Sequence, residues 1–272
     1  MHVAPSKHLG DTIAIGIGGV TVCVRAADPS FLAMLERRYL GFTTTAARAD
    51  YNFDVELIPA GQPASAGSDL SVRLNGQSWE LERGDFCAVW DPDSGLGRIR
   101  QSANPYSLDS VLRIVHTLRL ADTGGFLLHA ASAIRRGRAF LFSGVSGAGK
   151  TTMMRLAPAD ATPLTDEISY VLPENGAYCA CGTPFAGELA TVGENVKAPL
   201  AAVYLLAQGS EHRIDDVPRG EALRTLMRNV LFFAEDAGLA QRVFLAVCAL
   251  VDRVPVRRLT FLPDSGAWEL IQ

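Results

Sequence analysis

The segment GVSGAGKT, Gly144–Thr151, fits the pattern G-x-x-x-x-G-K-[ST] at every position. A strand-like RAFLFS precedes it and a helix-compatible TTMMRLA follows, the context the pattern requires. Its glycines let backbone N–H groups turn inward around a β-phosphate, and the start of the following helix adds partial positive charge. Lys150 is long enough to reach β- and γ-phosphates, and the Thr151 hydroxyl can ligate Mg²⁺. The expected nucleotide contacts are Gly144, Val145, Ser146, Gly147, Ala148, Gly149, Lys150, Thr151 and Thr152. The motif alone does not separate a kinase from an ATPase or a GTPase.

Beyond Lys150 comes PLTDEISYV, which places Asp166 and Glu167 side by side after a short apolar approach. Adjacent carboxylates at a strand end near a triphosphate can divide two tasks. One holds Mg²⁺, and the other takes the proton of an attacking hydroxyl. Taken alone, an Asp-Glu pair reads as a solvated turn; beside a phosphate loop, the catalytic reading is preferred.

At these residues the chain resembles a known family. LLHAASAIRRGRAFLFSGVSGAGKTT, then TDE, then GTPFAGELATVGENVKAPLAAVYLL is similar to the catalytic domain of HPr kinase/phosphorylase. It is closer still to the HPr-kinase-related bacterial kinases, some of which phosphorylate serines of ribosomally made peptides such as lasso peptides. The resemblance runs from about Gly125 to the C-terminus. It implies a P-loop catalytic domain of the HPr kinase or phosphoenolpyruvate-carboxykinase type, with ATP as donor, Mg²⁺ as metal and a serine hydroxyl as acceptor.

By the same resemblance His129 matches a histidine that precedes the loop on the adjoining strand, Asp166 the base, and Glu167 the second, metal-associated acid. Glu188 in FAGELA matches a downstream metal ligand, which makes Thr151, Glu167 and Glu188 the implied metal set. Lys197 in NVKAP stands where a cation would meet the phosphates or the acceptor. Without the resemblance, His129 reads as a core histidine. The pattern departs in two places: Glu167 replaces an aspartate, and the family signature is only partly present around Gly187-Glu188-Leu189. HPr itself and the reverse phosphorolysis are therefore not carried over. A kinase of a small hydroxylated molecule and a non-catalytic ATP sensor stay open as alternatives.

These residues need a scaffold, and the texture of the chain changes where it should begin. The first hundred residues look β-rich. TIAIGIGG and VTVCVRA flank a Gly-Gly turn as a hairpin, and Asp28 caps a helix through Leu40. Strands are expected near Tyr51–Leu57, Leu70–Leu74, Ser78–Leu81 and Phe86–Trp90, with Trp79 and Trp90 in strand packing. DPDSG at Asp91–Gly95 reads as a turn, not a calcium loop. Ser107–Ala121 is a helix by its apolar spacing. After it, strands and helices alternate: FLLHAASAI, RAFLFSG, Leu200–Leu206 and VRRLTFL as strands, Arg219–Phe233 and Leu239–Val251 as helices. The last helix is apolar nearly all round and reads as a buried helix, with a subunit contact as the alternative. The expectation is an α/β protein of two domains, a smaller β-rich α+β domain over residues 1–122, able to bind an acceptor, and a catalytic domain over residues 123–272.

Composition sets the remaining bounds. Of the 272 residues 48% are hydrophobic and 20% charged, which is ordinary for a globular chain. A net charge of -4 and the lack of any Lys/Arg-rich run argue against a nucleic-acid partner. No apolar run reaches the roughly 20 residues a membrane span needs, and no signal-peptide pattern opens the chain, so a cytoplasmic location is expected. The five cysteines are odd in number and scattered, which reads as reduced thiols, most of them buried. Assembly into a homo-oligomer is implied only by the resemblance.

Overall fold

The computed structural model describes residues 11–45, 48–185, 187 and 193–271. It divides into two compact units between Arg113 and Ile114, inside a helix rather than beyond its end.

The first unit contains β1 (Thr12–Ile17), β2 (Val20–Ala26), α1 (Pro29–Arg38), β3 (Tyr51–Ile58), β4 (Ser71–Asn75), β5 (Ser78–Arg83), β6 (Phe86–Asp91), β7 (Leu96–Ser102) and the first half of α2 (Pro105–Thr123). The strands form one sheet in the order β1-β2-β3-β7-β6-β5-β4. Period-two alternation buries one face, with Ile15, Val22, Val24, Phe53, Trp90 and Ile99 inside. Trp79 and Trp90 are both core residues. Asp28 starts α1 by accepting from the N–H groups of Ser30 (2.7 Å) and Phe31 (3.1 Å). Asp109 of α2 is buried but satisfied, taking Arg38 at 2.5 Å and the Tyr39 hydroxyl at 2.6 Å. A groove of about 720 Å³ on the other face, lined by Asp54, Glu56, Arg98 and Arg100, contains none of the candidate catalytic, nucleotide-binding or metal-binding residues. Asp91–Gly95 is a turn, with the Asp91 carboxylate accepting from Asp93 N–H at 2.9 Å.

The second unit holds the rest of α2, then β8 (Phe126–Arg135), β9 (Arg138–Ser143), α3 (Lys150–Arg155), β10 (Ala161–Thr165), β11 (Ile168–Glu174), β12 (Ala177–Cys181), β13 (Lys197–Gln208), β14 (Arg213–Asp216), α4 (Arg219–Met227), β15 (Val230–Leu231), α5 (Ala237–Val251), β16 (Val256–Phe261) and a closing 3₁₀ turn, Ser265–Leu270. Its nine described strands make one mixed sheet. The near-continuous apolar runs of β8, β9 and β13 are buried, as central strands covered on both faces must be. β9 lies parallel to β13 and antiparallel to β8, and β13 is parallel to β16. One cluster packs under α3: Phe140, Phe142, Met153, Tyr204, Phe261 and Trp268. The Trp268 indole N–H donates to Met153 O at 2.9 Å and ties the closing turn to α3.

Three expectations need correction. The helix placed over Arg219–Phe233 ends at Met227, and Val230–Leu231 becomes a strand. β9 reaches only Ala130–Arg135 of β8, so Leu127 and Leu128 would otherwise lack edge partners, and β15 supplies them. α5 is buried on one side only: Val243, Val247 and Leu250 are inside, whereas Phe244 and Leu245 are exposed. All five cysteines are free thiols, but only Cys179 and Cys181 are buried. Burial pushes the Cys181 thiol up to about 12, so it is not a nucleophile at neutral pH.

Candidate active site

β8 is the axis around which the candidate residues collect. On one edge it pairs with β9, whose last residue Ser143 faces Ala130; the loop of Gly144–Gly149 leaves from there. On the other edge β10 and β11 run one after the other along β8. Thr165 faces Ser132 and Ile168 faces His129. Asp166 and Glu167 therefore sit opposite Ala130 and Ala131, in a two-residue break between strands. Ser143 and the acid pair are two strand spacings apart, about 10 Å. His129 stands on the strand between them.

The break has local causes. The Thr165 hydroxyl accepts from the N–H groups of both Glu167 and Ile168, each at 3.2 Å, an ST-turn that lifts the chain off β8. Asp166 is buried, and its Oδ1 accepts the Gly187 N–H at 2.8 Å. Gly187 lies so close that a Cβ there would come within 2.9 Å of the Glu167 Cβ and 3.2 Å of Asp166 Oδ2. Only glycine lets the backbone approach both acids this closely. The pair is not the solvated turn that two adjacent acids suggest.

The loop is held by several bonds. Ala148 N–H donates to Val145 O at 3.1 Å, and Met153 N–H to Gly149 O at 2.9 Å. Lys150 is buried, with its Nζ 2.9 Å from Gly144 O and 3.4 Å from Val145 O. Val145 is the most exposed apolar residue of the loop. α3 has only six residues, so its dipole adds less than the sequence pattern suggests. Gly149 takes φ of 108°, and a Cβ there would stand 2.6 Å from Cζ of Phe261, itself core-packed. Gly149→Ala therefore combines left-handed strain with overpacking. We expect a loss of about 3 kcal/mol, read as a lower denaturant midpoint. A midpoint equal to wild type would show that the loop relaxes without cost.

His129 is half-buried. Burial, and then the positive charge of Lys150, hold its imidazole below the usual value, so the ring is neutral at pH 7. The His129 backbone N–H donates to Asn229 O at 2.7 Å. Thr151 and Thr152 are half-buried in the first turn of α3. Glu188 lies outside the described residues. Lys197 is engaged elsewhere: its ammonium pairs with Glu174, at the opposite end of β13 from Gln208.

Two residues at this place were not singled out from the sequence. Gln208, the last residue of β13, donates from Nε2 to Gly147 O at 2.8 Å. Arg228 ends α4, and the chain then enters β15 along the edge of β8 that β9 has just left. Asn229 and Ser143 thereby face adjacent residues of β8, His129 and Ala130. The exposed Arg228 guanidinium makes no hydrogen bond or ion pair with any described residue. A sequence signal for it existed in Asn229-Val230, a poor continuation of a helix.

Fold and site together define a two-sheet α/β protein whose second sheet gathers a glycine-rich loop, a histidine and an acid pair around one strand. The chain belongs to the SynChlorMet cassette protein ScmC family, whose model matches residues 101–272. No curated protein matches the chain. Among solved structures, it matches the Hpr(Ser) kinase/phosphatase from Coxiella burnetii at 9% identity. That match covers 53% of this chain and 90% of the other, and a TM-score of 0.28 is too low to establish a shared fold. No helix of the described residues is long and apolar enough to cross a membrane.

Proposed function

We propose that the chain is an ATP-dependent phosphotransferase that moves the γ-phosphoryl group to a serine hydroxyl of a peptide or protein. The observation supporting this most is the register around β8, which sets the loop and the acid pair on its opposite edges, with His129 between them. The likeness of the loop and TDE segments to HPr-kinase-related kinases supports the acceptor class, with a ribosomally made precursor peptide as the first choice.

In this reading the loop amides and Lys150 hold the β- and γ-phosphates. Asp166, whose Oδ1 accepts the Gly187 N–H, supplies the carboxylate that meets the acceptor hydroxyl. The acceptor oxygen attacks the γ-phosphorus, the bond to the bridging oxygen of ADP breaks, and Asp166 takes the hydroxyl proton. The Thr151 hydroxyl and the Glu167 carboxylate would hold Mg²⁺ beside the substrate phosphates, with Glu188, outside the described residues, as a further proposed donor. Bound there, it would offset charge on the phosphates. Arg228 would meet the phosphates from the α4 side, as a fork of N–H donors suited to them.

Removing that fork predicts a rate effect without a stability effect. Arg228→Ala should lower the transfer rate by about 100-fold and leave the melting temperature unchanged, because the side chain is exposed. Initial rates and a thermal melt decide it; a rate within twofold of wild type would remove Arg228 from the site. The function itself is tested by ³¹P NMR of the chain with ATP, Mg²⁺ and one of three acceptors: a serine-bearing precursor peptide, free serine or a sugar. A phosphomonoester signal growing with ADP, on the peptide alone, is the expected result. A signal on free serine or the sugar would replace the peptide by a small molecule, and ATP left intact with all three would favour an ATP sensor.

A further inference from the structure

We propose that Gln208 is a positioning residue for the phosphate loop, which it orients from the end of β13; this rests on reading Gly144–Thr151 as a nucleotide loop. Gly147 sits at the middle of the loop with φ of 79°. Without a Cβ, the peptide joining Gly147 to Ala148 has little steric reason to prefer either of its two faces. The face matters to an anion. With the Gly147 carbonyl turned toward the phosphates, its negative end would repel them; turned away, it leaves the loop interior to N–H groups.

Two bonds select the second arrangement. Gln208 Nε2 holds Gly147 O at 2.8 Å, outside the turn. The Ala148 N–H, on the opposite side of the same peptide, points into the turn toward Val145 O at 3.1 Å. The anchor for Gln208 is firm. β13 pairs with β9, the strand that feeds the loop, through Leu205↔Ser143, and with β16 through Gln208↔Phe261. Phe261 in turn packs under Gly149. The strand end is thus tied to the beginning, the middle and the close of the loop.

The chemistry of the side chain is specific. An amide donates to a carbonyl and carries no charge, so it can stand beside a bound triphosphate without repelling it. A carboxylate of the same length can do neither. Because Gln208 is exposed, its bond to the loop adds little to the stability of the chain. It acts on the loop's readiness to bind, through Gly147, and touches no reacting atom.

The test is calorimetric titration of Mg²⁺–ATP and ADP into wild type, Gln208→Ala and Gln208→Glu, with a thermal melt and a transfer rate at saturating ATP for each. Gln208→Ala should weaken both nucleotides by about fivefold. Gln208→Glu should weaken them more, and ATP more than ADP, since the added charge repels the larger anion. Melting temperatures and saturated rates should stay at the wild-type value, a split that a general loss of structure would not give. If wild type binds nucleotide and both variants bind it equally well, the positioning role is overturned while the loop reading survives. If wild type binds neither nucleotide, the loop reading falls and this inference with it.

Discussion

Lys150→Ala should reduce phosphoryl transfer by about 1,000-fold, one of the two largest effects expected of a single substitution in this chain. The ammonium is buried, 2.9 Å from Gly144 O and 3.4 Å from Val145 O, within the loop that would receive the phosphates. A buried cation held by its own loop's carbonyls is a strong electrostatic feature and a modest stabilising one. A bound triphosphate can exchange those neutral partners for anionic oxygens, and interactions with charge are the stronger kind. Removing the side chain also relieves His129 of the nearby positive charge that helps to hold its imidazole below the usual value. The His129 titration should therefore move up in Lys150→Ala, which NMR of the ring can follow whether or not transfer is measurable. A variant with near-normal transfer would mean that the phosphates are held elsewhere.

Asp166→Asn is the second large effect, and it should separate binding from chemistry. The substitution keeps size and can keep an acceptor for the Gly187 N–H, now bonded to Asp166 Oδ1 at 2.8 Å. It removes the group that accepts the hydroxyl proton. Loss of a general base costs about 100- to 10,000-fold in rate, and that loss should appear in kcat with nucleotide affinity preserved. Fast transfer by Asp166→Asn would assign the base to another group, and Glu167 would be next because it adjoins Asp166 beside the same glycine.

The chemistry-bearing segments were legible because their signals are local. Gly144–Thr151 carries its own spacing, and the strand before it and helix after it stand where the pattern requires. The hairpin of β1 and β2, the Asp28 cap and the turn at Asp91 follow from turn and cap chemistry within a few residues. What stayed hidden is register. Nothing in TDE says that its two acids fall opposite Ala130 and Ala131, in a break between two strands sharing one neighbour. The strand order of the first unit was equally out of reach, because β3 is parallel to both β2 and β7, which no hairpin signal announces. Arg228 and Gln208 were missed for the same reason. One sat inside an overlong helix and the other beyond the end of an expected strand; pairing with β9 brings Gln208 to the loop, and pairing of β15 with β8 sets the backbone after Arg228 beside His129. The charge of Lys197 was visible, but not its partner Glu174.

The most direct test of the central claim pairs two readouts on two proteins. Wild type and Asp166→Asn are titrated with Mg²⁺–ATP by calorimetry, then incubated with a serine-bearing precursor peptide and weighed by intact mass spectrometry. The expected result is equal nucleotide binding by both and a gain of one phosphate, about 80 Da, on the peptide with wild type alone. Equal phosphorylation by the two proteins, or no nucleotide binding by either, would contradict the assignment of this site.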